Sequence, residues 1–294
     1  MTKAEMPIPG KGHEDIGEDK QNNSPHASIV CGVYARDRDG FAMKALQENL
    51  ERLEAAIAKA CRKAGRKRDE VELMAVSKTY PATTLAEAAA LGLTLFGENR
   101  VQEFAAKAED LKLVRVGGMV LADGVAQAGP VRVHLIGHLQ SNKALRAVEL
   151  FDAVDSVDSL RLAERLNEAA GKLGKRLPIL IEVKLSPEET KAGVDPNSAE
   201  IAQLLERLPD LENLQTKGLM TIAPFDVAEE ETRASFRNLR QWRDRWAAAH
   251  PRLELEVLSM GMSGDFALAI EEGATRVRVG TLLFGQRGTN AEKA

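Results

Sequence analysis

Cysteine is scarce in this chain: Cys31 and Cys61 are the only two among 294 residues. The first lies in a polar stretch and the second on the apolar face of a helical pattern, so a disulfide framework of the kind that staples small secreted domains is excluded. An excess of one charge is lacking too, since 40 Lys and Arg stand against 44 Asp and Glu, for a formal charge of −4. Counterion-driven nucleic-acid binding needs a cationic surplus, so no nucleic-acid partner is expected. No run approaches the roughly 20 apolar residues that span a bilayer, and the N-terminus is acidic and polar where a signal peptide has an apolar centre. The expectation is a cytoplasmic protein with no membrane partner. Tyrosine is rare as well: Tyr34 and Tyr80 are the only two.

Residues 1–39 carry Pro7, Pro9, Gly10, Gly12, Asn22, Asn23 and Pro25 among many charges and show no sustained apolar period. Such a segment cannot bury enough surface to offset its ordering entropy, which predicts a disordered leader. Residues 40–290 then read as one domain. Leu46, Leu50, Leu53, Ile57 and Cys61 follow helical spacing, with Gly65 where a C-terminal cap belongs, predicting a helix over 41–64. Eight short apolar runs follow, at 71–77, 93–97, 131–137, 151–157, 177–185, 217–222, 253–260 and 276–280. Helical patterns separate them at 84–91, 100–111, 160–173, 198–208, 229–249 and 265–272. Near-continuous Val/Ile/Leu runs imply strands buried on both faces, the parallel-sheet pattern. Eight of them predict an α/β fold, a single (β/α)8 TIM barrel, in preference to an open doubly wound sheet. Residues 115–130 break the rhythm with glycines and read as an extended loop or an added hairpin.

In such a barrel, functional groups gather where strands end, at the C-terminal face. Lys78 follows the first strand and Lys184 follows the fifth run, so position alone does not rank them. A lysine amine attacks a carbonyl only when deprotonated, which a semi-enclosed site with cationic neighbours favours. After the seventh strand comes Ser259-Met260-Gly261-Met262-Ser263-Gly264-Asp265, and after the eighth Arg278-Val279-Gly280-Thr281. Glycines that let backbone approach closely, hydroxyl neighbours and unpaired N–H groups make both turns candidates for a phosphate, though each alone reads equally as a capped turn. A lysine facing a phosphate site describes a phosphorylated aldehyde, and pyridoxal phosphate and a phosphosugar both qualify. Asn99, ending the second strand, is either a ligand contact or a helix cap. Arg278 would bring a permanently charged donor to the far edge of a bound ring, where a pyridine nitrogen would stay unprotonated, or it pairs with a carboxylate across the barrel. His134 and His138 lack a companion cysteine or carboxylate cluster, so no metal is expected and His134 reads as a core histidine.

At these residues the sequence resembles the pyridoxal phosphate homeostasis proteins, a family also described as proline synthetase co-transcribed proteins. The matching stretches are AVSKTYP (75–81), FGENRVQE (96–103), HLIGHLQSNK (134–143), KAG (191–193), GLMTI (218–222), LSMGMSGD (258–265) and VRVGTLLFG (277–285). The resemblance implies a fold type III barrel akin to the N-terminal domain of alanine racemase. It implies pyridoxal 5'-phosphate held as a Schiff base on Lys78, with contacts from Asn99, Ser259, Met260, Gly261, Ser263, Arg278, Gly280 and Thr281. Members are regarded as cofactor carriers or regulators of vitamin B6 balance with no established reaction. That implies cofactor homeostasis, with PLP-dependent apoenzymes as partners and a monomer or weak dimer. Three departures stand out: Lys184 replaces an expected asparagine, Val133 an expected aromatic, and the 115–130 insertion is long.

Two enzymatic readings compete with a carrier. A racemase using the same cofactor needs a proton donor on the face opposite the lysine. In relatives of this fold a tyrosine from a separate β-domain supplies it, whereas here Tyr80 lies beside the lysine, Tyr34 lies in the leader, and no β-rich domain follows residue 287. A Schiff-base aldolase acting on a phosphosugar would need a further carboxylate or lysine at the substrate.

Overall fold

The computed structural model describes residues 37–115, 131–186 and 192–285, without the side chains of 37–42 and 109–115. The expected leader up to residue 36, with Cys31 and Tyr34, lies outside the described residues. So do residues 116–130 of the insertion, and Lys191. The chain divides into compact units Met1–Ala42 and Met43–Ala294, and the barrel belongs to the second.

Eight strands form it: β1 (Glu72–Val76), β2 (Leu95–Glu98), β3 (Arg132–Leu135), β4 (Ala153–Val157), β5 (Leu177–Glu182), β6 (Leu214–Met220), β7 (Val257–Ser259) and β8 (Arg276–Val279). They pair in chain order and close into a barrel, parallel throughout. Around them run α1 (Asp37–Lys63), α2 (Ala82–Ala90), α3 (Val101–Arg115), α4 (Ala144–Leu150), α5 (Leu160–Lys172), α6 (Ala199–Arg207), α7 (Glu229–Ala249), α8 (Phe266–Glu271) and α9 (Thr281–Phe284). Ser159 and Ser198 cap α5 and α6 by accepting from Leu162 and Ile201 N–H. No helix among the described residues is long and apolar enough to cross a membrane.

The departures from the sequence reading have local causes. α1 begins at Asp37, inside the stretch read as leader. β6 starts at Leu214, three residues before the apolar run, because its first half alternates buried Leu214 and Thr216 with half-exposed Gln215 and Lys217. β7 is only Val257–Ser259; the preceding Leu253 and Leu255 are buried without joining the sheet, and their neighbours Glu254 and Glu256 are exposed.

Two apolar clusters result. The larger fills the space between strands and helices. The smaller, Met74, Val76, Leu95, Ile136, Leu180 and Met220, plugs the barrel interior. Gly97 belongs to this plug by default, since a Cβ there would stand 2.8 Å from Met74 Sδ. Beside the plug is an ionic layer. Arg276 donates to Glu72 Oε2 at 2.8 Å and to Asp155 Oδ2 at 3.1 Å. The other Asp155 oxygen meets His134 Nδ1 at 3.0 Å, which makes His134 the satisfied core histidine expected of it. Burial pushes the Asp155 carboxyl up, but His134, Arg276 and Arg278 hold it below the usual carboxylate range.

Strands β6 and β7 meet so closely at Gly218 that a Cβ there would stand 1.9 Å from the Val257 carbonyl oxygen. Backbone cannot yield as a flexible side chain can, so Gly218→Ala is expected to cost about 3 kcal/mol or more. A urea midpoint equal to that of the parent protein would contradict this close approach.

Candidate functional site

Lys78 leaves the barrel at the end of β1 on a turn held by buried polar contacts. Ser77 continues the strand pairing through its N–H to Gly97 O at 3.0 Å, and its hydroxyl donates to Glu98 Oε1 at 2.8 Å. Lys107 of α3 reaches in to donate to both Glu98 oxygens at 3.0 and 3.2 Å and to Ser77 O at 3.2 Å. It also bonds Glu103 at 3.1 Å, and Glu103 accepts the Thr79 N–H. Thr79 itself has φ 70°, a left-handed conformation uncommon outside glycine. Burial pushes the Glu98 carboxyl up, opposed by Lys107 and by Ser77. Tyr80 closes the turn: its N–H donates to Ser77 O at 3.1 Å, its hydroxyl to Gly285 O at 2.9 Å, and its ring lies 4.9 Å from that of Phe284.

Lys184 also lies on the rim, with its N–H bonded to Val194 O at 3.0 Å. Topology separates the two lysines. β1 is hydrogen-bonded to β8, whereas Lys184 follows β5, whose partners are β4 and β6. Only Lys78 therefore stands beside the loops after β7 and β8.

Those loops form a backbone cradle. Gly261 has φ +92°, and a Cβ there would fall 2.5 Å from Ala269 Cβ, while its carbonyl accepts the Arg278 N–H at 2.9 Å. The turn is closed by Asp265, which accepts the Met262 N–H at 2.5 Å. Gly280 presses on β1, with a hypothetical Cβ 3.1 Å from Val76 O. The N–H groups of Ser263, Gly264, Thr281 and Leu282 donate to no backbone carbonyl among the described residues. Gly261, Ser263, Gly280 and Thr281 thus lie on one rim segment, after the paired ends of β7 and β8. Ser259 and Met260 lie beneath it, both fully buried. Met260 belongs to the outer core, and its N–H is engaged by Arg276 O at 3.1 Å.

Arg278 points inward, 4 % exposed. Its Nη1 donates to Ser259 O at 2.6 Å and Ser259 Oγ at 3.1 Å, and its Nη2 to Thr221 O at 2.8 Å. Among the described residues it makes no carboxylate ion pair; Arg276 is the arginine that does. The carboxylates acting on the Arg278 charge are Asp155, then Glu182, then Asp265. Glu182 is 2 % exposed at the end of β5, and its Oε2 has no hydrogen-bond partner among the described residues. Burial pushes its carboxyl up to about 7, with Asp158 adding to the rise and Arg278 opposing it. Asn99 is half-buried at the end of β2 and lines a cavity of about 350 Å³ with Arg100, Gln102, His138, Gln140 and Lys143. Gly137 nests against it, since a Cβ there would be 2.3 Å from Asn99 O. His138 pairs with Asp158 at 3.2 Å. Among the described residues no group of three His, Cys, Asp or Glu is placed to hold a metal ion.

Sequence reasoning missed Ser77, Glu98, Glu103, Lys107 and Glu182. Glu182 left a signal, a lone carboxylate within the apolar run Ile179–Val183, and Glu103 and Lys107 stand four apart on one helix.

Comparison with known proteins agrees with the barrel fold. The profile of the alanine racemase N-terminal domain matches residues 39–288. A pyridoxal phosphate homeostasis protein of Aquifex aeolicus is 40% identical over 240 residues, covering 82% of this chain and 97% of its own. The chain belongs to the pyridoxal phosphate homeostasis protein family. The family's Escherichia coli member is 36% identical over 246 residues, 83% of this chain and 98% of its own. Among solved structures, PipY of Synechococcus elongatus with PLP bound superposes with a TM-score of 0.68 at 42% identity, covering 82% of this chain and 100% of that one. An alanine racemase of Clostridium difficile, at 18% identity and a TM-score of 0.60, covers 84% of this chain and 58% of that one, a likeness of fold.

Two stability measurements test the polar contacts. Lys107→Met leaves Glu98 buried without its cation and is expected to cost about 3–5 kcal/mol in chemical denaturation. Glu182 is ionised in the unfolded chain above its ordinary value of 4.5 but in the folded protein only above about 7. Its presence therefore costs nothing below the lower value, and progressively more up to the higher one. Glu182→Gln should match the parent at pH 4 and exceed it by about 3 kcal/mol at pH 8; a gain of the same size at both pH values would refute the assignment.

Proposed function

We propose that the protein binds pyridoxal 5'-phosphate at the barrel mouth, attached through the Lys78 amine, and serves intracellular homeostasis of this cofactor as a carrier without catalytic turnover. The observation that carries the reading is the juxtaposition, across the β1–β8 pairing, of Lys78 with two glycine-containing loops in which the N–H groups of Ser263, Gly264, Thr281 and Leu282 donate to no backbone carbonyl among the described residues. The residues fit the group. A phosphate needs several convergent donors and backbone that can come close, and a Cβ at Gly261 or Gly280 would press on Ala269 or Val76,.

When bound, the cofactor supplies an aldehyde for amine capture and a ring that can withdraw electrons. The protein's own groups limit the second property. Arg278 holds a permanent positive charge beneath the loops and, being unable to accept a proton, disfavours protonation of a pyridine nitrogen facing it. Lys78 must give up its proton to act as nucleophile, and the turn built by Ser77, Glu98, Glu103 and Lys107 fixes where that amine is presented. A second proton-transfer group for racemisation is wanting at Tyr80, whose hydroxyl is engaged by Gly285 and whose ring packs on Phe284. The names of the relatives, homeostasis proteins and not enzymes, support the carrier reading. The recipients in this proposal are PLP-dependent apoenzymes in the cytoplasm.

Reduction of the loaded protein with borohydride, followed by peptide mass spectrometry, should place one phosphopyridoxyl group on Lys78, with none on Lys78→Ala. A label on Lys184 would reassign the attachment site. Racemisation of an amino acid by the parent protein, lost in Lys78→Ala, would overturn the carrier reading.

A further inference from the structure

Glu182 is a buried acid that the binding site just described does not use. It ends β5 two residues beyond Leu180 of the interior plug, so strand alternation turns it into the same interior at the mouth end,; among the described residues Oε2 has no hydrogen-bond partner and no ion pair joins it to Arg278. The arginine cannot turn to it without cost, because Nη1 and Nη2 are already held by Ser259 and Thr221. The charged groups facing this position are Arg278 from β8 and Asp158 after β4. Asp155, also of β4, is spent on His134 and Arg276, Lys184 follows on the same strand, and β6 contributes the uncharged Met220 and Thr221. Asp158 disfavours a second negative charge, and a carboxylate removed from water without a donor is costly. The neutral acid is the form these surroundings favour, and its O–H is itself a buried donor in need of an acceptor.

We propose that Glu182 contacts the bound ligand as a neutral carboxylic acid, donating a hydrogen bond to an acceptor atom of pyridoxal 5'-phosphate, so that binding depends on one proton held at this residue. The proposal rests on the binding reading above and adds a ligand-contacting, affinity-determining residue to it. Ionised, Glu182 would offer the phosphorylated ligand only acceptors and a like charge. By linkage, occupancy then holds the proton on, and affinity falls as the pH rises through the range in which the empty site loses it, by up to tenfold per pH unit. A glutamine cannot ionise and still presents an N–H donor.

The test is the dissociation constant for pyridoxal 5'-phosphate between pH 6 and 9, for the parent protein and for Glu182→Gln. The cofactor's own titrations are common to both, so the ratio of the two constants isolates the residue. The expected ratio, parent over variant, is flat near pH 6 and climbs toward tenfold per pH unit above about 7,. A ratio that stays flat while both proteins bind overturns the proposal and leaves the binding reading standing; absence of binding by both at every pH overturns the two together. A second measurement counts protons. Calorimetry at pH 8, in buffers of different ionisation enthalpy, with pyridoxine 5'-phosphate as a probe that forms no bond to lysine, should show close to one more proton taken up per ligand by the parent protein than by Glu182→Gln, the probe's own titrations being common to both. Equal uptake by the two refutes the proposal.

Discussion

The mouth of this barrel exists because β1 hydrogen-bonds to β8. That pairing, from Glu72↔Arg276 to Ala75↔Val279, sets a lysine near the start of the domain against a glycine turn near its end. The register leaves no slack at the top, where Gly280 rests on the Val76 carbonyl and a side chain would wedge the two strands apart. Closing so long a loop adds little entropic cost beyond closing a shorter one, since the cost grows only with the logarithm of length. The burden falls on fit at the seam.

Arg276 and Arg278 stand two residues apart on β8 and point into the same interior, yet their surroundings differ. Arg276 is paired with Glu72 and Asp155. Among the described residues Arg278 bonds to uncharged oxygens of Ser259 and Thr221, so its charge is oriented without a direct ion pair. An interior that neutralises its lower cation and leaves the upper one available reserves electrostatic potential for the end where loops can admit an anion.

Much of the architecture was legible because parallel strands buried on both faces write themselves as apolar runs. The boundaries failed where burial is one-sided, as at Gln215 and Lys217 in β6. The site was legible in part for a similar reason. Glycine and lysine at strand ends are visible one residue at a time, so Lys78, Gly261 and Gly280 could be picked out locally. The cluster of Ser77, Glu98 and Lys107 could not, because it joins a strand end, the neighbouring strand and the helix after it, and no sequence period links the three. Met260, which the resemblance counts among the ligand contacts, has its side chain in the core between strands and helices, a placement that its neighbours in the sequence do not announce.

The seam also sets an order of events during synthesis. Until residues 276–281 have left the ribosome, the nascent chain has only β2 to pair with its first strand, no glycine beside Val76 and no arginine beneath the mouth. The lysine turn is complete far earlier, but it has no loop of β7 or β8 to face. The glycine cradle therefore belongs to the finished barrel, and a chain stalled before β8 would carry Lys78 without it.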